Sequence, residues 1–183
     1  MKKARHQSMR RILPARSRTQ VLKRLRLFAV DVDGVLTDGG MYYGESGEEM
    51  KKFNTRDGMG LKLLQAEGLI TAIITRENTK LVARRAEKLG IPEVHQGVHD
   101  KLGRLQELVK KYNLALDQAA YMGDDVNDVE ALKAVGFAGA PADCMEPVKQ
   151  VVHYVCRLKG GEGAVREVVD LILTARGART ILT

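Results

Sequence analysis

The chain has 183 residues, 44% of them hydrophobic and 29% charged, which is enough for one well-buried core and short for two. A net charge of +7 would point to a polyanionic partner if it were spread over the surface, but ten Lys and Arg and no acid fall within residues 1–26, and the remainder, with 20 basic and 23 acidic residues, is net −3. No apolar stretch approaches the roughly 18 residues of a membrane span, no apolar run follows the charged N-terminus, and Cys144 and Cys156 lack any metal-ligand spacing, so a membrane protein, a secreted disulfide scaffold and a zinc module are excluded and a cytoplasmic protein is expected.

Residues 1–24 read as a basic, poorly ordered extension whose last few residues start a short helix. The extension has no aromatic stacking residue and no DNA-binding motif, so no nucleic-acid partner is expected. A single domain then spans 25–177, with a short tail at 178–183. Leu27–Val32 is a short apolar run of strand length, and Gly39 to Phe53, with the turn-like Gly44-Glu-Ser-Gly47 between apolar residues, reads as a β-hairpin. Ile70–Thr75 is a second buried strand. Leu81, Val82, Ala86 and Leu89 form a helical stripe ended by Gly90 and Pro92. Strand Glu93–Gly97 precedes a stripe of Leu102, Leu105, Val109 and Tyr112, and strand Ala119–Gly123 precedes one of Val126, Val129, Leu132 and Val135. A weaker strand at Phe137–Gly139 and a last helix through Val165, Val168, Val169 and Ile172, stopping near Gly177, complete the chain. Alternating short apolar runs and amphipathic stripes specify an α/β domain with a doubly wound, Rossmann-like parallel sheet.

The chemistry gathers where the apolar runs end, which is where such sheets bind ligands. Asp31-Val-Asp-Gly-Val-Leu-Thr-Asp38 closes the first strand, with Asp31 and Asp33 two apart and Gly34 allowing a close turn. Thr75 ends the second strand, Lys101 follows the third, and Gly123-Asp-Asp-Val-Asn-Asp128 ends the fourth with Asp124, Asp125 and Asp128. Taken singly, each has an ordinary reading: an acidic turn, a helix cap, a surface charge, acids in a first helical turn. Together they supply carboxylates for a hard cation, a hydroxyl and an ammonium for phosphate oxygens, and a nucleophile.

In that order these segments resemble the four motifs of the haloacid dehalogenase superfamily, over about Leu27 to Gly177. VDGVLTDGGMYYGESGEEMKKFNTRDGMG, YMGDDVNDVEALKAVG and GGEGAVREVVDLIL narrow the resemblance to its small capless branch, the 3-deoxy-D-manno-octulosonate 8-phosphate phosphatases. The resemblance implies a magnesium-dependent phosphatase with Asp31 as nucleophile, Asp33 as acid and base, and Thr75 and Lys101 on the phosphoryl oxygens. It implies that Mg2+ is held by Asp31, the backbone carbonyl of Asp33, Asp124, and Asp125 or Asp128. It further implies a homotetramer built through Tyr42 to Phe53, with Gly160 to Arg166 as a mobile loop near the substrate. Substrate contacts are expected from Asn54, Thr55, Arg56, Asp57, Gly58, Lys62, Glu77, Arg85, Lys101, Asp128 and Arg166; arginine suits a sugar carboxylate because it donates two parallel hydrogen bonds.

One departure bears on the substrate. The branch usually reads Thr-Gly-Arg after the second strand, whereas this chain has Thr75-Arg76-Glu77, with Lys88 eleven residues on. That pairing looks more like relatives acting on 9-phosphates of nine-carbon sugar acids, which stands as the alternative to the eight-carbon substrate. A non-catalytic tetramerisation domain is the alternative of another class, opposed by intact Asp31, Asp33, Thr75, Lys101 and Asp124. A receiver domain is opposed by the second acid two residues after the first.

Overall fold

The computed structural model describes residues 15–178. In chain order the elements are α1 (Ala15–Arg24), β1 (Leu27–Val30), β2 (Tyr42–Gly44), β3 (Gly47–Met50), α2 (Thr55–Ala66), β4 (Ile70–Ile74), α3 (Lys80–Leu89), β5 (Glu93–His95), α4 (Lys101–Lys111), β6 (Ala119–Met122), α5 (Val129–Ala134), β7 (Phe137–Ala140), α6 (Glu146–Lys149), β8 (Tyr154–Val155) and α7 (Ala164–Arg176). Six strands form one sheet in the order β5-β4-β1-β6-β7-β8, every pairing parallel, and β2 and β3 form a separate antiparallel ribbon. Because β1 lies between β4 and β6, the strand order reverses there, and a crevice opens at its carboxyl end.

The strands read as unbroken apolar runs because both faces are covered. Phe28, Val30, Ile73, Met122 and Phe137 face α2, α3 and α7 through Leu61, Leu64, Val82, Ala86, Val165 and Val169. Their neighbours in sequence, Leu27, Ala29, Ile74, Tyr121 and Ala138, face α4 and α5 through Leu105, Leu108, Ala131 and Leu132. The period-two alternation thus divides one sheet between two cores. Four strands stop one or two residues before the expected apolar run does, and Asp31, Thr75 and Gly123 each make one last inter-strand amide bond where the chain turns into the crevice.

Three features differ from the sequence expectation. The helical part of the N-terminal extension is ten residues long, not a last turn: α1 packs on α7, Leu22 is buried, and Arg176 donates to the carbonyls of Lys23 and Leu25. Helix α1 is therefore part of the folded unit; residues 1–14 and 179–183 lie outside the described residues. Helix α2 had no stripe to announce it, because Gly58 and Gly60 occupy its packed faces. A Cβ on Gly58 would stand 2.4 Å from Arg85 Nη2, and one on Gly60 3.1 Å from Arg166 Cδ, so these glycines let α3 and α7 approach. Strand β8 is two half-buried residues, too short to leave a pattern.

Candidate active site

The backbone at the end of β1 builds the nucleophile loop. Asp31 N–H donates to Met122 O at 2.9 Å, prolonging the β1–β6 ladder by one bond, and the next turn wraps so tightly that the amides of Val35, Leu36 and Thr37 all reach the Val32 carbonyl. Gly34 has φ +77°, and a Cβ there would fall 2.1 Å from Asp124 Oδ2. Only glycine permits this approach of the first acidic loop to the fourth.

Asp31 is 6% exposed, and its Oδ2 accepts from Lys101 Nζ at 2.5 Å. Lys101 opens α4 behind the cap Asp100 and is itself buried, its ammonium also donating to Asp128 Oδ1 at 2.7 Å. Asp128 is fully buried and saturated. Tyr121 Oη donates to Oδ1 at 2.7 Å, while the amides of Asp124 and Asp125 donate to Oδ2 at 3.0 and 3.3 Å. Carboxylate oxygens of Asp31, Asp124 and Asp128 lie within 4.8 Å of one another.

Three acids beside one ammonium leave negative charge in a poorly solvated place. Burial, reinforced by the Asp128 charge and opposed by Lys101, pushes the Asp31 carboxyl up to about 7. Burial and the Asp31 charge push Asp124 likewise to about 7. Burial works to lower the Lys101 ammonium, but Asp31 and Asp128 outweigh it and hold the group above its ordinary value. An all-oxygen set with excess negative charge fits a hard divalent cation. Asp31 and Asp124 have oxygens to offer it. Asp128, with both oxygens committed, serves instead as the post that holds Lys101 and the Asp124–Asp125 turn.

Above these groups lies a cavity of about 430 Å³ whose wall includes Asp31, Asp33, Thr75, Glu77, Asp124 and Asp125. Thr75 is 1% exposed; its hydroxyl accepts the Glu77 amide at 3.3 Å, leaving the hydroxyl proton to donate. Arg76, His99 and Asn127 also line the wall and carried no sequence signal beyond their nearness to the motifs. Lys51, which follows β3 and has no role assigned from sequence, reaches Asp33 Oδ1 at 2.7 Å.

Most of the expected substrate contacts lie elsewhere. Asn54 caps α2, accepting from Arg56 N at 2.8 Å and donating to Gly161 O at 3.1 Å. Asp57 is fully buried and accepts the amides of Gly163 and Arg166 at 3.2 and 2.8 Å, capping α7; burial raises its carboxyl against the pull of those bonds. Arg85 donates to the Asn54 carbonyl at 3.0 Å and lies over the Phe53 ring, with Gly58 against it. Thr55 and Lys62 are exposed on α2. Arg56 and Arg166 line a second cavity, of about 580 Å³, together with Arg18 and Tyr154. The glycine loop expected to be mobile is pressed against the nucleophile loop: Gly161 N–H donates to Val35 O at 3.0 Å, and a Cβ on Gly160 would lie 1.9 Å from Gly34 O. That loop separates the two cavities, which is why residues adjacent to it in sequence face the other side.

Comparison with known proteins agrees with this geometry. Residues 64–168, which include Thr75, Lys101 and Asp124, match the haloacid dehalogenase-like hydrolase family. A 3-deoxy-D-manno-octulosonate 8-phosphate phosphatase of Yersinia pestis is 46% identical over 152 residues, 83% of this chain and 81% of the relative. The enzyme of that name from Escherichia coli K12 is 43% identical over 155 residues, 85% and 82% of the two chains. The crystal structure of the Moraxella catarrhalis phosphatase of the same name, in complex with magnesium ion, phosphate ion and a KDO molecule, superposes with a TM-score of 0.88 at 41% identity, covering 92% of this chain and 97% of that one.

Proposed function

The chain belongs to the haloacid dehalogenase-like hydrolase family, in its 3-deoxy-D-manno-octulosonate 8-phosphate phosphatase branch, and from that premise we propose how its residues remove phosphate from a phosphorylated keto-sugar acid. The enzyme is a phosphatase acting on 3-deoxy-D-manno-octulosonate 8-phosphate, releasing the sugar acid and phosphate. The observation that carries the reading is the meeting of Asp31, Asp124 and Asp128 around Lys101 at the tip of β1.

A phosphate monoester dianion repels nucleophiles, so charge must be neutralised before an oxygen can attack. Magnesium held by Asp31 and Asp124, with the Asp33 carbonyl and Asp125 as further oxygen donors, supplies that neutralisation. An Asp31 oxygen forms a bond to phosphorus as the phosphorus–sugar oxygen bond breaks. Asp33, protonated, gives its proton to the departing oxygen, so that an alcohol leaves and Asp33 becomes a carboxylate. Asp33 then takes a proton from the water that attacks phosphorus, and the bond to Asp31 breaks to release phosphate. Thr75 and Lys101 hold phosphoryl oxygens, and their donors count most where charge grows in the transition state.

Among the described residues no segment caps the cavity, and the ribbon exposes Met41, Tyr42, Tyr43 and Met50 together. That apolar patch supports a homotetramer assembled through the ribbons. Among the described residues no helix is long and apolar enough to cross a membrane, which suits a cytoplasmic enzyme. Glu77 on the cavity wall, where the branch usually has arginine, favours testing nine-carbon substrates beside the eight-carbon one.

The test is phosphate release over a panel of eight- and nine-carbon keto-acid phosphates, with and without a chelator. Asp31→Asn is expected to remove nearly all turnover while circular dichroism stays unchanged, and chelation to stop the parent reversibly. Release by Asp31→Asn at the parent rate would overturn the mechanism. A clear preference for a 9-phosphate would reassign the sugar and leave the chemistry intact.

A further inference from the structure

Lys51 stands at the end of a ribbon whose large apolar side chains face solvent, yet its own side chain is 0% exposed and its ammonium lies 2.7 Å from Asp33 Oδ1. The second oxygen of the same carboxyl, Asp33 Oδ2, is buried and has no hydrogen-bond partner among the described residues, while Asp33 itself lines the catalytic cavity. An unpartnered buried oxygen is unfavourable by about 1–3 kcal/mol, and rotation of the carboxyl would exchange the two oxygens if nothing pinned one of them. A fully buried ammonium is equally unfavourable unless it is committed to a partner.

The ammonium holds Oδ1, and we propose that Lys51 is a positioning residue for the leaving-group step, fixing the carboxyl of Asp33 with Oδ2 turned inward and Oδ1 toward the substrate. The inference rests on the reading of Asp33 as proton donor given above. In the first half-reaction a proton on Asp33 Oδ1 passes to the sugar oxygen as its bond to phosphorus breaks, and the resulting carboxylate keeps Oδ1 against the Lys51 ammonium. Without Lys51 the carboxyl still exists but is no longer aimed, and the deficit falls on substrates whose leaving oxygen needs a proton.

The experiment measures first-turnover rates by rapid quench for the parent, Lys51→Met, Lys51→Arg and Asp33→Asn. Each is assayed on the sugar-acid phosphate and on p-nitrophenyl phosphate, whose phenolate departs without a proton. The readout is the ratio of the two rates on one preparation, which does not depend on how much of it is folded. General acid catalysis contributes about 10²- to 10⁴-fold, so misaiming the acid should shift the Lys51→Met ratio roughly ten- to a hundred-fold toward the aryl substrate, with Lys51→Arg within about threefold of the parent. Asp33→Asn should shift at least as far as Lys51→Met. A Lys51→Met ratio equal to the parent's, alongside a shifted Asp33→Asn ratio, overturns the role of Lys51 and leaves Asp33 as the acid. An unshifted Asp33→Asn ratio overturns both, whatever Lys51→Met does. If neither Lys51 variant turns over either substrate, the residue is structural and the proposal fails.

Discussion

Replacing Asp128 with Asn tests whether one buried carboxylate organises the phosphatase site. The side chain is fully buried and accepts four hydrogen bonds, two at each oxygen: Lys101 and Tyr121 at Oδ1, the Asp124 and Asp125 amides at Oδ2. An amide has one accepting end and one donating end. Either orientation of the substituted side chain therefore sets an NH2 against two donors and loses two bonds. Hydrogen bonds to charged groups contribute about 1.5–3 kcal/mol each, and breaking a buried ion pair from one side is unfavourable by about 3–5 kcal/mol. Removing the Asp128 charge also relieves repulsion on Asp31 and Asp124, which offsets part of the loss. The balance is a loss of roughly 3 kcal/mol in unfolding free energy, read by urea titration of chelated protein. Depending on the orientation, either Lys101 keeps only Asp31 or the metal-bearing turn loses its anchor, and kcat should fall about 100-fold through misplacement of the phosphoryl contacts. A stability loss below about 1 kcal/mol together with parental kcat would show that Asp128 is not the post the geometry makes it.

Gly160→Ala places a methyl 1.9 Å from the Gly34 carbonyl, a backbone atom that cannot rotate away, so the nucleophile loop must shift. A loss of about 1–3 kcal/mol and slower turnover are expected, and a variant with parental melting temperature and kcat would count against that rigidity. Glu93, with a side chain 6% exposed, is drawn two ways. Burial raises its carboxyl, but bonds from Lys111, Tyr112 and His95 outweigh it and hold the group below its ordinary value of 4.5. A depressed folded value means the stabilisation is whole above about pH 4.5 and is lost as pH falls through the folded value. The melting-temperature gap between parent and Glu93→Gln should accordingly be wide at pH 7 and narrow toward pH 3, and a constant gap would refute the assignment. Tyr43→Lys puts charge on a side chain 67% exposed in the ribbon patch, and should convert the proposed tetramer to smaller species by light scattering; a parent that is already monomeric would reject the assembly.

The site was readable in sequence to the extent that its chemistry sits at the ends of apolar runs. Asp31, Thr75 and Asp124 each follow a strand whose burial on both faces leaves no ambiguity about where it stops, and parallel topology brings such ends together. Helix α2 was not readable, because its packing depends on glycines, whose contribution is the absence of a side chain. Asp128 was expected at the metal or the substrate, and nothing in the sequence showed that the tight turn lays its carboxylate beneath Lys101 and the Asp124 amide. Arg56 and Arg166 were expected at the substrate from the resemblance and from arginine's fit to a carboxylate, and neither says that both residues line the second cavity.

Two buried lysines divide the control of the two catalytic acids. Lys101 takes one oxygen of Asp31 and is held from below by Asp128; Lys51 takes one oxygen of Asp33 and arrives from the ribbon. Each ammonium holds one oxygen of its partner and so fixes how that carboxyl is turned. Lys101 comes from the rigid core, on a helix packed under the sheet, so the nucleophile is set by the domain alone. Lys51 comes from a two-stranded ribbon, an element of marginal stability in isolation. The acid of the leaving-group step is therefore as well aimed as the ribbon is well seated. The enzyme thereby ties its proton donor to the ribbon, which exposes Met41, Tyr42, Tyr43 and Met50. Dissociation should then fall harder on sugar phosphates than on aryl phosphates, even though no atom of the patch touches the substrate cavity.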